Sequence, residues 1–584
     1  MSNHTFCIFK HETNPYTETQ NIFPGVYVNK SIPEYKNHYI IVNGDIYNIK
    51  DIKEKFRIES EATEEIILEL YLKAGVKTPN YLRGIYTIVI ISNEKMVFFR
   101  DFFSINSIYY YVDDLRNEFI ITNKISEIKR FVNLRVDTRV LPRYFLRTSL
   151  HIGDTFFENV KTLEYAQLIE LSLDDSKVTP ILYDDSFYKE IRNDQLKDNS
   201  IINKAEDIIF NNIKEIVNYY DDYNVINALS GGVDSSCLQV FLKKLGYKKA
   251  YTYSHEIIGT RLRGYSTDIS KYLDVEHTII ELESERIIDR IKNGILYCEV
   301  PYMFEGEFLE QSMYDQIRKT EGGNILITHG QGSDAIFGYG RAFFELKYFS
   351  NPLFRVLFTL FNESFLKIFR QSYYSKYKTI IPKIKHKKID EELLYVLFDS
   401  KYNGEIVRKA FNLDNMYEMY SGDVERLNKF DINYIDAIHR SRYDFDCLRA
   451  SFMTYESCKK YGINTCFPFI NKELLFYMCS VPLKKKIRRL TTKYYIKKIL
   501  LKYLPSKFVY RTKVFGANQN FLFFFNDENI NKIIQDIKNT KYEYFNFDYE
   551  QIFSDVKYYG LAIKLINFHI WHKIFIENVD IKDI

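Results

Sequence analysis

The segment that most constrains this chain is NVINALSGGVDSS, Asn224 to Ser236. Asn224 to Leu229 form a mostly apolar run of the length of a buried strand. Ser230, Gly231 and Gly232 then turn tightly with little side chain. From Asp234, Ser235 and Ser236 onward, LQVFLKKL continues with apolar residues at helical spacing. A strand, a glycine turn and a helix N-terminus gather outward-pointing N–H groups at the positive end of a helix dipole. That arrangement favours a bound anion. The turn is too short for GxxxxGK[ST] and no Lys follows its glycines, so a Walker A loop is excluded.

The surrounding pattern places this turn in an α/β sheet. AYTYSHEI reads as the next buried parallel strand, and STDISKYLDVEHTIIEL as helix then strand. This β-α-β alternation predicts a doubly wound parallel sheet with its ligand at the strands' C-terminal ends. The first part of the chain reads differently. HTFCIFK, HYIIVNGDIYNI, GIYTIVIIS, KMVFFRDF, SIYYYVDD and NEFIITN are strand-like, and EATEEIILELYLKAG is an amphipathic helix. They predict an α+β layered sandwich. The charged stretch DDSFYKEIRNDQLKDNS separates the two patterns, which puts a boundary near residue 195. Two domains, 1–195 and 196–584, suit a chain of 584 residues.

Composition narrows the class. A hydrophobic content of 46% excludes wholesale disorder. Lys+Arg 80 against Asp+Glu 77 gives a net charge of +3, which offers no argument for a nucleic-acid partner. The seven cysteines are scattered without a C-x-x-C pair, which predicts a reduced cytoplasmic protein without structural zinc. MSNHTFCIFK lacks the pattern of a signal peptide, and no apolar run reaches the ~18 residues of a membrane span.

Several strings carry a family resemblance. SGGVDS resembles the pyrophosphate loop of the ATP pyrophosphatases, which split ATP into AMP and pyrophosphate. VNGDIYN from Val42, LRGIYTIVI from Leu82 and RDFFSINSIYYY from Arg100 resemble, in order, three strings of the N-terminal-nucleophile glutaminase domain of asparagine synthetases. NILITHGQGSDAIFGYG, Asn324 to Gly340, resembles their LSGEGADELFGGY string and the GxGSD string of β-lactam synthetase. YRTKVFGAN, from Tyr510, resembles their RxKxxF segment, and KKKIRRLTTKYYIKKILLKYLP their Lys-rich helix ending in Leu-Pro. The chain thus resembles the asparagine synthetase and β-lactam synthetase superfamily: an N-terminal-nucleophile-like domain followed by an ATP-pyrophosphatase domain.

The resemblance implies a site. Leu229, Ser230, Gly231, Gly232, Asp234, Ser235, Ser254, Gly330 and Gly332 would hold ATP, and Asp234 with Asp334 would hold Mg²⁺ against its phosphates. Lys513 would neutralise charge on the leaving phosphate and the oxyanion. Glu456 is the candidate base, and His277 falls where the family has a histidine string. The chain also departs from the family. Residue 2 is Ser where the glutaminase nucleophile is Cys, and Cys7 lies inside a strand-like run. No RGPD segment lies between His11 and Pro33. Gln331 and Ala335 replace glutamates, while Asn464, Cys466 and Asn471 replace Glu, Arg and Asp. Glutamine hydrolysis is therefore expected to be lost.

The implied reaction is amide formation from a carboxylate, with ATP going to AMP and pyrophosphate. An inert first domain and a second segment extended by residues 342–446 favour an intramolecular amine, as in the lasso-peptide cyclases. The expected substrate is a ribosomal peptide precursor, with its processing protease as a partner. Asparagine synthesis and a catalytically inactive binding protein are the competing readings. LFRVLFTLFNESFLKIFRQSYYSKYKTIIPKIKHKK starts apolar and ends basic. It reads as a core helix with a solvated tail, or as a peptide-binding or peripheral membrane-surface element.

Overall fold

The computed structural model describes residues 5–147, 150–189, 191–254, 264–281, 287–301, 307–339, 351, 353, 389–398, 404–414, 418–429, 434–442, 448–488, 491–511 and 528–584. Most of the apolar-to-basic stretch read above from Leu353 lies outside these residues.

The first part is two six-stranded sheets whose strand pairs are antiparallel. Alternation decides which residues lie between them. In Cys7–Lys10, Ile8 joins Ile121, Val89, Phe98 and Ile169 in a core fed by both sheets. Cys7 and Phe9 face the opposite side, into the larger cluster that continues toward the helices. Helix Thr63–Ala74 adds Ile66, Ile67, Leu68 and Leu70 to that cluster. The result is an α+β sandwich, as the alternation predicts. Strands Gln20–Phe23, Val26–Val28, Glu34–Tyr35, Val160–Thr162, Gln167–Ser172 and Val178–Leu182 complete the sheets.

The second part is built on a five-stranded parallel sheet. Its order is Glu276–Glu281, Lys249–Ser254, Asn224–Ala228, Ile325–Thr328 and Asn464–Cys466. The strand Asn224–Ala228 is central, and the chain builds outward from it in both directions. Such a reversal opens a crevice beyond the strands' C-terminal ends. Both glycine motifs leave the sheet there, because Asn224–Ala228 and Ile325–Thr328 are in-register neighbours, with Asn227 opposite Thr328.

Two buried devices join the parts. Helix Tyr559–Phe575 is buried nearly all round, as its uniform apolarity requires. Its Trp571 packs on Phe156 and Phe157 of the first part. The second device is ionic. Asp423, on helix Ser421–Leu427 of the extended segment, receives two bonds from Arg143, at 2.5 and 3.1 Å, and lies 3.3 Å from His151. Burial pushes the Asp423 carboxyl up, but Arg143, His151 and Arg147 outweigh it and hold it well below the usual carboxylate range.

Asp423→Asn leaves Arg143 buried without its countercharge and should cost about 3–5 kcal/mol in denaturant unfolding. Because the folded-state pKa is depressed, this stabilisation is present above the ordinary carboxylate pKa of ~3.9 and is lost as pH falls below it. The difference between Asp423→Asn and the parent should therefore shrink in acid. A constant difference from pH 7 to pH 3 would remove the ion pair as its cause.

Candidate active site

The first glycine turn is fixed from both sides. Asn227, fully buried in its strand, donates to Ser235 O at 3.0 Å and Gln239 Oε1 at 2.9 Å, and accepts from Thr328 Oγ1 at 3.0 Å. One amide thus ties two strands to the start of helix Val233–Lys244. Inside the turn, Gly232 N donates to Ser230 Oγ at 3.3 Å, and the Ser230 and Ser235 hydroxyls lie 3.1 Å apart. Gly231 sits at φ +73°, where a Cβ would come within 2.6 Å of Tyr265 C and Ser266 N, so only glycine fits. Thr252 Oγ1 donates to Leu229 O and contacts His277 Nε2 at 2.9 Å. His277 thereby reaches the turn through one hydroxyl.

The second turn, after Ile325–Thr328, packs directly on the first. A Cβ on Gly330 would lie 3.0 Å from Asp234 Cβ. Gly332 sits at φ +87° against Ile470, and Ser333 Oγ donates to Asp234 Oδ1 at 2.5 Å. Asp234 and Asp334 both reach one cation, the ammonium of Lys493, which bonds Asp234 Oδ2 at 2.5 Å and also pairs with Asp334 Oδ1. Lys493 is 5% exposed. Burial works against its charge, but the two carboxylates outweigh that and raise its pKa above the ordinary lysine value. Among the described residues no group of three or more His, Cys, Asp or Glu is placed to hold a metal. Two converging carboxylates nonetheless fit Mg²⁺, which draws its other ligands from phosphate and water.

The remaining residues named from sequence fall as follows. Ser254 ends its strand opposite Glu281, and its side chain lies outside the described residues. Lys513 also lies outside them, but Arg511 of the same motif donates to Gly231 O at 3.0 Å and Tyr265 O at 3.1 Å. Glu456, named above as a base, is 1% exposed and engaged elsewhere. It pairs with Lys124 at 3.0 Å and Lys459 at 3.4 Å and accepts from Ser107 at 3.1 Å. Burial pushes its carboxyl up, yet Lys124 and Lys459 prevail and hold it at about 2. A carboxylate so held is a weak proton acceptor.

A different carboxylate lies near Gln331. Gln331 Nε2 donates to Thr454 Oγ1 at 2.8 Å, and Thr454 Oγ1 donates to Glu310 Oε2 at 3.4 Å. Tyr314 OH donates to the same Oε2 at 2.9 Å. Burial raises the pKa of Glu310. The Gln331 side-chain Oε1, three residues before Asp334, is buried without a partner among the described residues. Lys493 and Arg511 lie inside the Lys-rich and RxKxxF strings without being named there as site residues, and Glu310 lies in no such string.

In the first part, the Arg100–Asp101 pair serves structure. Asp101 accepts from Ile105 N at 3.1 Å and Asn106 N at 3.0 Å, and Asn106 Nδ2 donates to Asn43 O at 2.7 Å. Cys7 is fully buried in its strand, and burial pushes its thiol up to about 12, so it is no nucleophile.

A sandwich of this kind ahead of a parallel sheet, with an anion-binding turn and paired carboxylates at its switch point, defines an amidotransferase-type synthetase layout. The asparagine synthase profile matches residues 218–549 and the glutamine amidotransferase profile residues 31–183. The chain belongs to the asparagine synthase family, whose members are ATP-dependent, AMP-forming ligases. A Methanocaldococcus jannaschii protein named as a glutamine-hydrolysing asparagine synthetase is 27% identical over 51% of this chain and 58% of its own length. A Bacillus subtilis glutamine-hydrolysing asparagine synthetase is 21% identical over 82% of this chain and 76% of its own. The chain thus spans just over half of the first relative and three quarters of the second. A solved B. subtilis glutamine phosphoribosylpyrophosphate amidotransferase, with ADP and GMP, covers 57% of this chain and 71% of its own at 7% identity. Its TM-score is 0.21, too low to bear on function.

Asp334→Asn should leave the protein folded by circular dichroism and abolish substrate-dependent exchange of pyrophosphate into ATP. Lys493→Met should lower that exchange by ~10²–10³-fold, the scale of removing one preorganised charge-stabilising donor. Full exchange in Asp334→Asn would remove this carboxylate from the metal assignment.

Proposed function

We propose that this chain adenylates a peptide carboxylate with ATP and closes a macrolactam with an amine of the same molecule, as a lasso-peptide-type cyclase does. Asp234, Asp334 and Lys493 carry the adenylation half. The carboxylate oxygen attacks the α-phosphorus of ATP and pyrophosphate leaves. Mg²⁺ held by the two aspartates would offset charge on the phosphates. The ammonium of Lys493, already at the carboxylates, supplies a second fixed positive charge where the pyrophosphate builds up charge. The turn of Ser230 to Ser235 presents its N–H groups at a helix N-terminus.

The second half needs an amine and a proton acceptor. The observation that favours an intramolecular amine is the first part of the chain. Its Cys7 is a buried core thiol, and the stretch from His11 to Pro33 contains no RGPD segment. Both features speak against an ammonia supply from glutamine. An amine tethered to the activated carboxyl attacks with a high effective concentration, so a strong base is less needed. Glu310 is the candidate acceptor. Its raised pKa makes it a better proton acceptor than an ordinary carboxylate, and Thr454 and Gln331 relate it to the second glycine turn. The amine attacks the acyl carbon, AMP leaves, and the amine proton passes to the base. Residues 342–446 are rich in Phe, Tyr and Lys, a composition suited to contacts with a peptide-sized substrate. A second reading, asparagine from aspartate, is favoured by the names of the relatives.

With a cleaved core peptide, ATP and Mg²⁺, and without glutamine, mass spectrometry should show a product lighter by one water. Asparagine formed from aspartate and ammonia at a comparable rate would replace this reading with the second one.

Glu310→Gln should slow amide closure by ~10²–10⁴-fold while leaving pyrophosphate exchange intact. In the parent, closure should rise with pH along a limb set above the ordinary carboxylate range, and the variant should lose that limb. An unchanged limb would exclude Glu310 as the base.

A further inference from the structure

The carboxyl of Glu310 is held by a ring that starts and ends on the second glycine turn. Glu310 and Tyr314 lie one helical turn apart on helix Glu307–Thr320, so their side chains share a face. Tyr314 OH donates to Glu310 Oε2 at 2.9 Å and lies 3.5 Å from His329 Nε2. On the other side, Thr454 Oγ1 of helix Leu448–Lys460 donates to the same oxygen at 3.4 Å and accepts from Gln331 Nε2 at 2.8 Å. His329 and Gln331 flank Gly330, so the ring closes through the backbone of the turn. The backbone N–H of His329 donates to Cys466 O of the next strand at 3.1 Å, which anchors that end. Tyr314, Thr454 and His329 are all buried.

The chemistry of hydroxyls gives the ring a direction. A hydroxyl has one proton to donate. Thr454 accepts from Gln331, so its own proton is left for Glu310. Burial raises the Tyr314 phenol well above its ordinary range, so it stays a donor. Both donors therefore load Oε2 and fix the plane of the carboxylate. Donors to a carboxylate favour its charged form, so they oppose the burial that raises the Glu310 pKa. Among the described residues, the other titratable groups against this ring are His329 and Cys458. Burial pushes His329 down to about 3 and the Cys458 thiol well up, so neither carries charge near neutrality.

We propose that Tyr314 and Thr454 are positioning residues for amide formation: they orient the Glu310 carboxylate so that Oε1 takes the amine proton, and they tie it to the turn that precedes Asp334. In that step the C–N bond forms, the C–O bond to AMP breaks, and the proton lost by the amine passes to Oε1. Their role rests on Glu310 being the base, and it is the same whether the amine belongs to the peptide or is ammonia. The ring places the base and the metal-binding carboxylate on one rigid element, so both halves of the reaction share a frame.

The test follows amide synthesis by the full chain across pH, with the cleaved core peptide or with aspartate and ammonia, whichever the parent converts. Thr454→Val keeps the side-chain volume and removes the hydroxyl. Its acid limb should move up by about one pH unit, the worth of one donor to a carboxylate. Thr454→Ser, which keeps the hydroxyl, should restore the limb. Tyr314→Phe should move it in the same direction as Thr454→Val. Pyrophosphate exchange should stay at the parent's rate in all three variants. A limb unmoved in both Thr454→Val and Tyr314→Phe, while Glu310→Gln removes it, would overturn the positioning role and leave Glu310 as the base. A limb that survives Glu310→Gln would overturn both. Should Tyr314→Phe fail to fold, the two Thr454 variants decide by themselves.

Discussion

The active-site half of this protein depends on holding two like charges close together. Asp234 and Asp334 leave adjacent parallel strands by separate glycine turns and end on one ammonium. Without Lys493 between them, two carboxylates at such a distance repel, and one of the two is driven toward its protonated form. The strands supply the spacing and Lys493 supplies the compensation. Asn227 locks the arrangement by bonding at once to the neighbouring strand and to the first turn of the helix. Arg511 then clamps the outer side of the Gly231 turn. Because each support is hydrogen-bonded, and Asn227 and Lys493 are buried, the carboxylates are aimed before any nucleotide arrives.

The sandwich ahead of the sheet has a structural role in joining the two parts. Its Asn43, Arg100, Asp101 and Asn106 bond mainly to one another and to local backbone. Its Lys124, Arg143 and Ser107 reach across to Glu456 and Asp423 of the second part. The Lys124–Glu456 and Arg143–Asp423 contacts are ion pairs on buried carboxylates, which contribute orientation more than net stability, because desolvation offsets much of their attraction. The first part therefore acts as a platform that registers the helices behind the crevice.

What was legible in the sequence follows from what leaves a pattern. The central strands of the three sheets, the helix Thr63–Ala74 and both glycine turns have strong periodicity or fixed backbone demands, and the sequence places each of them. Glu34–Tyr35, Gln20–Phe23 and Asn464–Cys466 are two to four residues long, too short for alternation to register. Lys493 sits among many lysines, and nothing local separates a buried lysine from a solvated one. Glu310 meets Thr454 across 144 residues of chain, and that contact exists only after folding. Glu456 drew attention as a carboxylate on a motif helix, but Lys124, 332 residues away, decides its state.

Lys493 has a further property, its backbone. It stands at φ +55°, in the left-handed region, immediately before helix Tyr494–Leu500. A non-glycine residue there carries strain of order 1 kcal/mol or more, and glycine or asparagine would relieve it. Glycine at 493 would relieve that strain but would leave Asp234 and Asp334 without the ammonium between them, and the loss of a buried ion pair outweighs the strain. The backbone at this position is therefore held in a costly conformation by the charges its side chain joins.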